Sequence, residues 1–185
     1  MTDQTKTDDS PARGQWVREA LETYERPLLR YAARFTRDLE LARDVVQDAF
    51  VKLCREDPAT LNGRLAPWLY TVCRNRALDV RKKEGRMQAL QQSEAEARPD
   101  AAPGPGRCAI VREEHALVLE AVAALPANQQ EAFRLKFEHG LTYRDISRVM
   151  NMPLSTVNYT IAQALNAVRA RLRGTLDQPR VTERI

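Results

Sequence analysis

Gly140-Leu-Thr-Tyr-Arg-Asp-Ile-Ser-Arg-Val-Met-Asn-Met-Pro-Leu-Ser-Thr-Val-Asn-Tyr-Thr-Ile161 is the stretch whose reading decides the fold. Thr142-Tyr-Arg-Asp145 has the spacing of a capping box and opens a short helix with Ile146, Val149 and Met150 on one side. Asn151-Met-Pro-Leu-Ser155 is a turn that leads into a long final helix. In that helix Val157, Ile161, Ala164, Leu165, Val168 and Leu172 form a continuous apolar stripe. A short capped helix, a turn of about four residues and a longer helix make a helix-turn-helix, whose second helix normally enters the major groove of DNA.

Upstream of it, Leu117, Val118, Ala121, Val122 and Leu125 trace one helix, and Pro126 suits the first turn of another that carries Ala132, Phe133, Leu135 and Phe137. Gly140 fits that helix's C-terminal cap. Residues 111–175 are therefore expected to form one helical domain, with 176–185 as a C-terminal tail. Before it, residues 87–110 change character and end in a Pro- and Gly-rich run that cannot bury a core, which reads as a flexible linker. Residues 15–86 form a second helical block behind a disordered tail of residues 1–14. Val17 through Phe35 recur at helical spacing across Pro27, which is expected to bend the helix. Asp38 looks like an N-cap, and Val45, Val46, Ala49, Phe50, Leu53 and Cys54 trace the next apolar stripe. After a loop over residues 55–67, Leu65, Trp68, Leu69, Val72, Cys73 and Val80 trace a third. The expected fold is all-α: two small helical domains joined by a flexible linker, the second containing the helix-turn-helix.

The composition of the 185 residues is compatible with that and excludes several classes. Apolar residues are 43% but aromatic ones only 6%, which favours helices packed through Leu, Val and Ala. No run of about eighteen apolar residues occurs and the first ten residues are polar, so neither a membrane span nor a secretory leader is expected, and the location is read as cytoplasmic. Cys54, Cys73 and Cys108 are odd in number and widely spaced, the first two within apolar patterns, which suggests neither a disulfide framework nor a zinc site. His115 and His139 lie near no cysteine in sequence, so no metal, cofactor or catalytic residue is expected.

Charge distribution says more than the formal net charge of +4. Residues 68–86 hold six cations against two anions, whereas residues 38–57 hold six anions against three cations. An acidic surface next to a basic one suggests two partners, one of them a polyanion. On the acidic helix, Asp44, Gln47, Asp48 and Lys52 stand opposite the apolar stripe at i, i+3, i+4 and i+8, suited to charge-assisted contacts with a basic partner. Asp44 and Asp48 as an acid/base or metal pair lack a histidine and a nucleophile. On the basic stretch, Arg74, Arg76, Arg81, Lys82, Lys83 and Arg86 can neutralise phosphates, and the Asn75 amide can read a base edge or sugar. Trp68 lies in the stripe and reads as core, leaving Tyr70 as the expected exposed aromatic.

Two sets of motifs, in order, carry a family resemblance. Asp44-Val-Val-Gln-Asp-Ala-Phe-Val-Lys-Leu53 and Pro67-Trp-Leu-Tyr-Thr-Val-Cys-Arg-Asn-Arg-Ala-Leu-Asp79 form the first set. Leu125-Pro126, Gln129-Gln-Glu-Ala-Phe133 and Gly140-Leu-Thr-Tyr-Arg-Asp-Ile146 form the second. From about Trp16 to Leu172 the chain resembles the extracytoplasmic-function class of bacterial RNA polymerase sigma factors. The resemblance implies an alternative sigma factor that binds core RNA polymerase, recognises promoter DNA and assists its melting, with an anti-sigma factor as a further candidate partner. It implies that the strip of Asp44, Gln47, Asp48 and Lys52 docks on a coiled coil of the polymerase's largest subunit. It also implies that Tyr70 and residues 74–76, with Arg81, Lys82, Lys83 and Arg86, serve minus-ten binding and melting.

The final helix departs from the family. Residues 149–168 contain no charged residue, and Asn158, Tyr159, Thr160 and Gln163 stand where relatives commonly carry Lys or Arg. Ser155 and Thr156 at the helix start can bond phosphate, while Arg144, Arg148 and Arg169, with Arg171 and Arg173, supply the charge for minus-thirty-five binding. The alternative is a stand-alone helix-turn-helix regulator, which would need no polymerase and would usually dimerise on paired half-sites.

Overall fold

The structure, a computed structural model, describes residues 10–91 and 109–176. Seven helices are present and no strand among the described residues. They are α1 (Ser10–Thr36), α2 (Leu39–Leu53), α3 (Leu65–Gln91), α4 (Ala109–Ala123), α5 (Ala127–Phe137), α6 (Tyr143–Met150) and α7 (Leu154–Leu176). α1–α3 belong to one compact unit and α4–α7 to another. The helix bounds extend into two stretches, the expected tail 1–14 and the expected linker 87–110. α1 starts at Ser10, α3 runs on to Gln91, and α4 begins at Ala109. The stretches 1–9, 92–108 and 177–185, with Cys108, lie outside the described residues.

In the first unit the junctions are fixed locally. α1 continues through Pro27 and ends at Thr36, after which Arg37 takes up the left-handed conformation (φ 54°). Asp38 follows as the N-cap of α2, its carboxylate accepting from the backbone N–H groups of Glu40 at 2.7 Å and Leu41 at 3.1 Å. Arg13 of α1 donates to the Glu56 carbonyl at 2.5 Å and so ties the start of α1 to the loop after α2. The three helices bury Leu28, Tyr31, Val45, Leu53, Leu69 and Cys73 among others. Burial pushes the Cys73 thiol up to about 12, so it is a neutral packing group. Cys54, by contrast, is exposed at the C-cap of α2 and not part of the apolar stripe as its spacing suggested. The stripe ends one residue earlier, where the helix does.

In the second unit Ala121, Val122 and Leu125 pack with Ala164 and Val168 of α7, flanked by Val118, Phe133, Ala167 and Leu172. Pro126 is the N-cap of α5, one residue before the first turn. The Gln130 amide donates to the carbonyls of Ala123 and Leu125, both at 2.8 Å, satisfying acceptors that the end of α4 leaves open. At the end of α5, Gly140 takes φ +67° and the Leu141 N–H reaches back to the Leu135 carbonyl at 3.0 Å, a glycine-terminated cap as the sequence suggests.

Candidate partner-binding and nucleic-acid-binding surfaces

α2 turns Val45, Val46, Ala49 and Leu53 into the core, and the 3.6-residue repeat therefore sets Asp44, Gln47 and Lys52 outside, all exposed. Asp48 is only half exposed. Its Oδ2 accepts from Nε of Arg76 on α3 at 2.7 Å, with the two side chains 46% and 45% exposed. The ion pair joins the two surfaces that the sequence assigns to different partners, and its residues are 28 positions apart, beyond the reach of any local signal. Beside the strip, α1 and α2 enclose a cleft of about 320 Å³ with Leu21, Leu29, Val46 and Phe50 on its walls and Glu25, Arg43 and Gln47 among its polar lining. Leu21, which falls in the apolar stripe of α1, is 38% exposed here. The stripe is wider than the core it supplies.

α3 is one helix from Leu65 to Gln91, and at about 100° per residue its positions sort into two opposite faces. Leu69, Tyr70, Cys73 and Ala77 face the core. Asn75, Lys82 and Arg86 fall within about 20° of a single line on the far side and are exposed, as are Arg76, Arg81 and Lys83. Arg74 is half-buried and has a partner. One expectation is corrected. Tyr70 is not an exposed aromatic: it is 2% exposed and packs edge-on against Tyr31 of α1, ring centroids 5.1 Å apart at 79°. Positions 70, 73 and 77 lie three to four residues apart and so share the buried face, whereas Trp68 is half-buried.

The helix-turn-helix is built from local chemistry. The Thr142 side chain accepts from the Asp145 N–H at 3.2 Å and donates to its carboxylate at 2.6 Å, which starts α6. Asn151 ends it in the left-handed region (φ 52°, ψ 51°), a conformation asparagine tolerates better than most residues. The Ser147 hydroxyl donates to the Met152 carbonyl at 2.6 Å and the Met152 N–H returns to the Ser147 carbonyl at 3.0 Å, so the turn is held from both sides. Ile146, Val149, Val157 and Ile161 are buried between α6, α7 and their neighbours. On the outer side of α7, Ser155, Tyr159, Ala162 and Asn166 fall within about 60° of arc, and all four are exposed. Asn158 and Gln163 flank them and are exposed, whereas Thr156 is half-buried. Arg144, Arg148 and Arg169 are exposed, and Arg148 pairs with Asp145 at 3.4 Å.

No group of three or more His, Cys, Asp or Glu side chains suited to a metal occurs among the described residues. No described helix is long and apolar enough to cross a membrane. Two helical units, one with a cationic helix face and one with a helix-turn-helix, define a two-part DNA-binding protein of transcription. Residues 20–87 match the family description "Sigma-70 region 2" and residues 115–168 match "Sigma-70, region 4". The RNA polymerase sigma-H factor of Pseudomonas aeruginosa is 30% identical over 164 residues, covering 83% of this chain and 84% of that one. The ECF RNA polymerase sigma factor RpoE of Cereibacter sphaeroides is 29% identical over 136 residues, 72% of this chain and 71% of its own. Among solved structures, the sigma factor RpoE of Bartonella quintana, in complex with the anti-sigma factor NepR, superposes with a TM-score of 0.60 at 21% identity, covering 87% of this chain and 98% of that one. The chain belongs to the sigma-70 family, in its extracytoplasmic-function class. It is an alternative sigma factor, which directs RNA polymerase to promoters and is not itself an enzyme.

Proposed function

We propose that α2 carries the polymerase dock, α3 the minus-ten strand and α7 the minus-thirty-five element, with the protein acting in the cytoplasm. The observation that carries the division is the two-sidedness of α3, where Asn75, Lys82 and Arg86 lie opposite the core residues Leu69, Tyr70, Cys73 and Ala77 on one uninterrupted helix. Asp44, Gln47 and Lys52 supply the exposed part of the dock, and Asp48 its edge. Asn75, Lys82 and Arg86 line the route of one strand's phosphates, with Arg81 and Lys83 beside it. That face is cationic but carries no exposed aromatic at position 70, so a stacking role passes from Tyr70 to no other residue of the expected set.

The α7 face of Ser155, Asn158, Tyr159 and Gln163 enters the major groove, with Thr156 at its margin and Arg144, Arg148 and Arg169 reaching phosphates. An anti-sigma factor belongs to the same proposal as the regulator of the free protein. The test is transcription with core RNA polymerase on a genomic template library, followed by permanganate footprinting. Replacing Asn75, Lys82 and Arg86 together by Ala is expected to remove reactive thymines at the start site while leaving co-purification with core enzyme intact. Equal melting by the triple variant on a linear template refutes the assignment of this face.

A further inference from the structure

If α7 lies in a major groove as proposed above, its outer face also limits which bases it can read. We propose that this helix is specific for A·T base pairs and that Asn158, Tyr159 and Gln163 are its specificity-determining residues. The major-groove edge of guanine offers two acceptors, met most often by Arg or Lys, and cytosine offers a donor met by Asp or Glu. Over residues 149–168 there is neither a cation nor a carboxylate to meet them. Adenine offers one acceptor and one donor side by side, and the amide of Asn or Gln matches both. Asn158 and Gln163 are exposed on the two flanks of the outer line. Thymine adds a methyl group, for which an apolar surface is the match. Tyr159, 66% exposed and unusually so for an aromatic, stands on that line next to Ala162, whose small side chain lets the backbone approach.

The surrounding cations do not change this reading. Arg169 is ten residues beyond Tyr159, roughly 15 Å along the helix axis and several base pairs away. Arg144 and Arg148 belong to α6, the helix that in this motif crosses the backbone, and Arg148 is already paired with Asp145. Phosphate affinity and base choice are thus supplied by different residues.

The experiment is selection by the holoenzyme, full chain plus core RNA polymerase, from duplexes randomised across the upstream promoter element. The selection is repeated with Asn158→Ala, Gln163→Ala and Tyr159→Ala, all exposed positions. The wild type is expected to select a block of A·T pairs. Each amide variant should bring at least one of them from a preference of about 5- to 150-fold to near indifference. Replacing thymine by uracil at one position of the block, which removes only the methyl, should weaken the wild type and leave Tyr159→Ala unaffected. A G·C pair at any position that Asn158→Ala or Gln163→Ala relaxes overturns the proposal, as does uracil that is harmless at every position. Three variants that weaken all sequences equally also overturn it, by making these residues phosphate contacts. If no variant alters any upstream preference or affinity, the placement of α7 in the groove fails as well, an outcome distinct from the others.

Discussion

Asp48 and Arg76 allow stability and polymerase binding to be separated with one set of variants. At 2.7 Å but nearly half exposed, the pair is screened by water. A Coulomb energy of about 1 kcal/mol at 4 Å in bulk water shrinks to about 0.2–1 kcal/mol once side-chain entropy is counted. A double-mutant cycle over Asp48→Ala and Arg76→Ala should return a coupling in that range. It should fall severalfold in 1 M salt, where the screening length is only about 3 Å. Both tryptophans, Trp16 and Trp68, lie in the first unit, so fluorescence of the full chain in urea, excited selectively at tryptophan, reads that unit. With an m-value of roughly 1–3 kcal/mol/M, the coupling amounts to a midpoint shift of a few tenths of a molar at most for a mid-range value.

The charge-swapped protein then decides what Asp48 is for. Asp48→Arg alone sets two guanidinium groups together and should both destabilise the unit slightly and abolish co-purification with core enzyme. Adding Arg76→Asp restores opposite charges and should recover the stability without recovering core binding, because the carboxylate is no longer on α2. If the swap restores core binding in full, the polymerase does not read the acid at position 48 and only the intramolecular pair mattered. A coupling indistinguishable from zero at low salt would show that the pair adds nothing to the core packing that joins α2 and α3.

Further outcomes follow from other residues. Leu53→Ala, at a site with no exposure, should cost the first unit about 2–5 kcal/mol by the same fluorescence assay. Gly140→Ala should cost about 1–2 kcal/mol, read as a lower thermal midpoint of the second unit by circular dichroism, because φ is +67° there. Thiol labelling of the native protein near pH 8, mapped by mass spectrometry, should modify exposed Cys54 and spare Cys73. Since the Cys73 thiol is raised from 9.0 to about 12 in the fold, its contribution is complete below pH 9 and is lost as pH rises from there to 12. Over that window the wild type should lose up to about 1.4 kcal/mol per pH unit more than Cys73→Ala.

What could be read in the sequence was what is decided within a turn or two. The caps at Asp38, Thr142 and Gly140 involve partners two to six residues away, and each stands where the residue types suggested. Tyr70 failed as an exposed aromatic because a residue at the margin of a stripe is settled by its neighbour across the interface, here Tyr31, 39 positions earlier. The same holds for Asp48, which spacing puts on the outer face of α2 and which only the crossing of α3 gives a partner. Helix ends differ from the bounds that composition suggests for another reason. Composition marks where a core stops, and α3 outlasts its core, with Ala77 the last buried residue among the described side chains and fourteen more helical residues after it.

On the proposed assignment of α3, that overhang lets one helix serve two tasks. The half of α3 up to Ala77 is held by apolar burial worth about 2–5 kcal/mol per large side chain, so Lys82 and Arg86 beyond it extend the helix past its fully buried positions. α7 divides its work along its length in the same way, an uncharged outer face first and Arg169, Arg171 and Arg173 afterwards. A reading face without cations has weak affinity for DNA on its own, since most non-specific affinity comes from neutralised phosphates. In one chain with the first unit that weakness is tolerable. On the proposed assignment, once the dock and the minus-ten face are engaged, the second unit meets DNA at an effective concentration on the order of millimolar, set by its tether to the first unit and not by its own charge. Base choice can then be made by amides and a methyl contact, groups that discriminate between sequences while adding little affinity for the wrong ones.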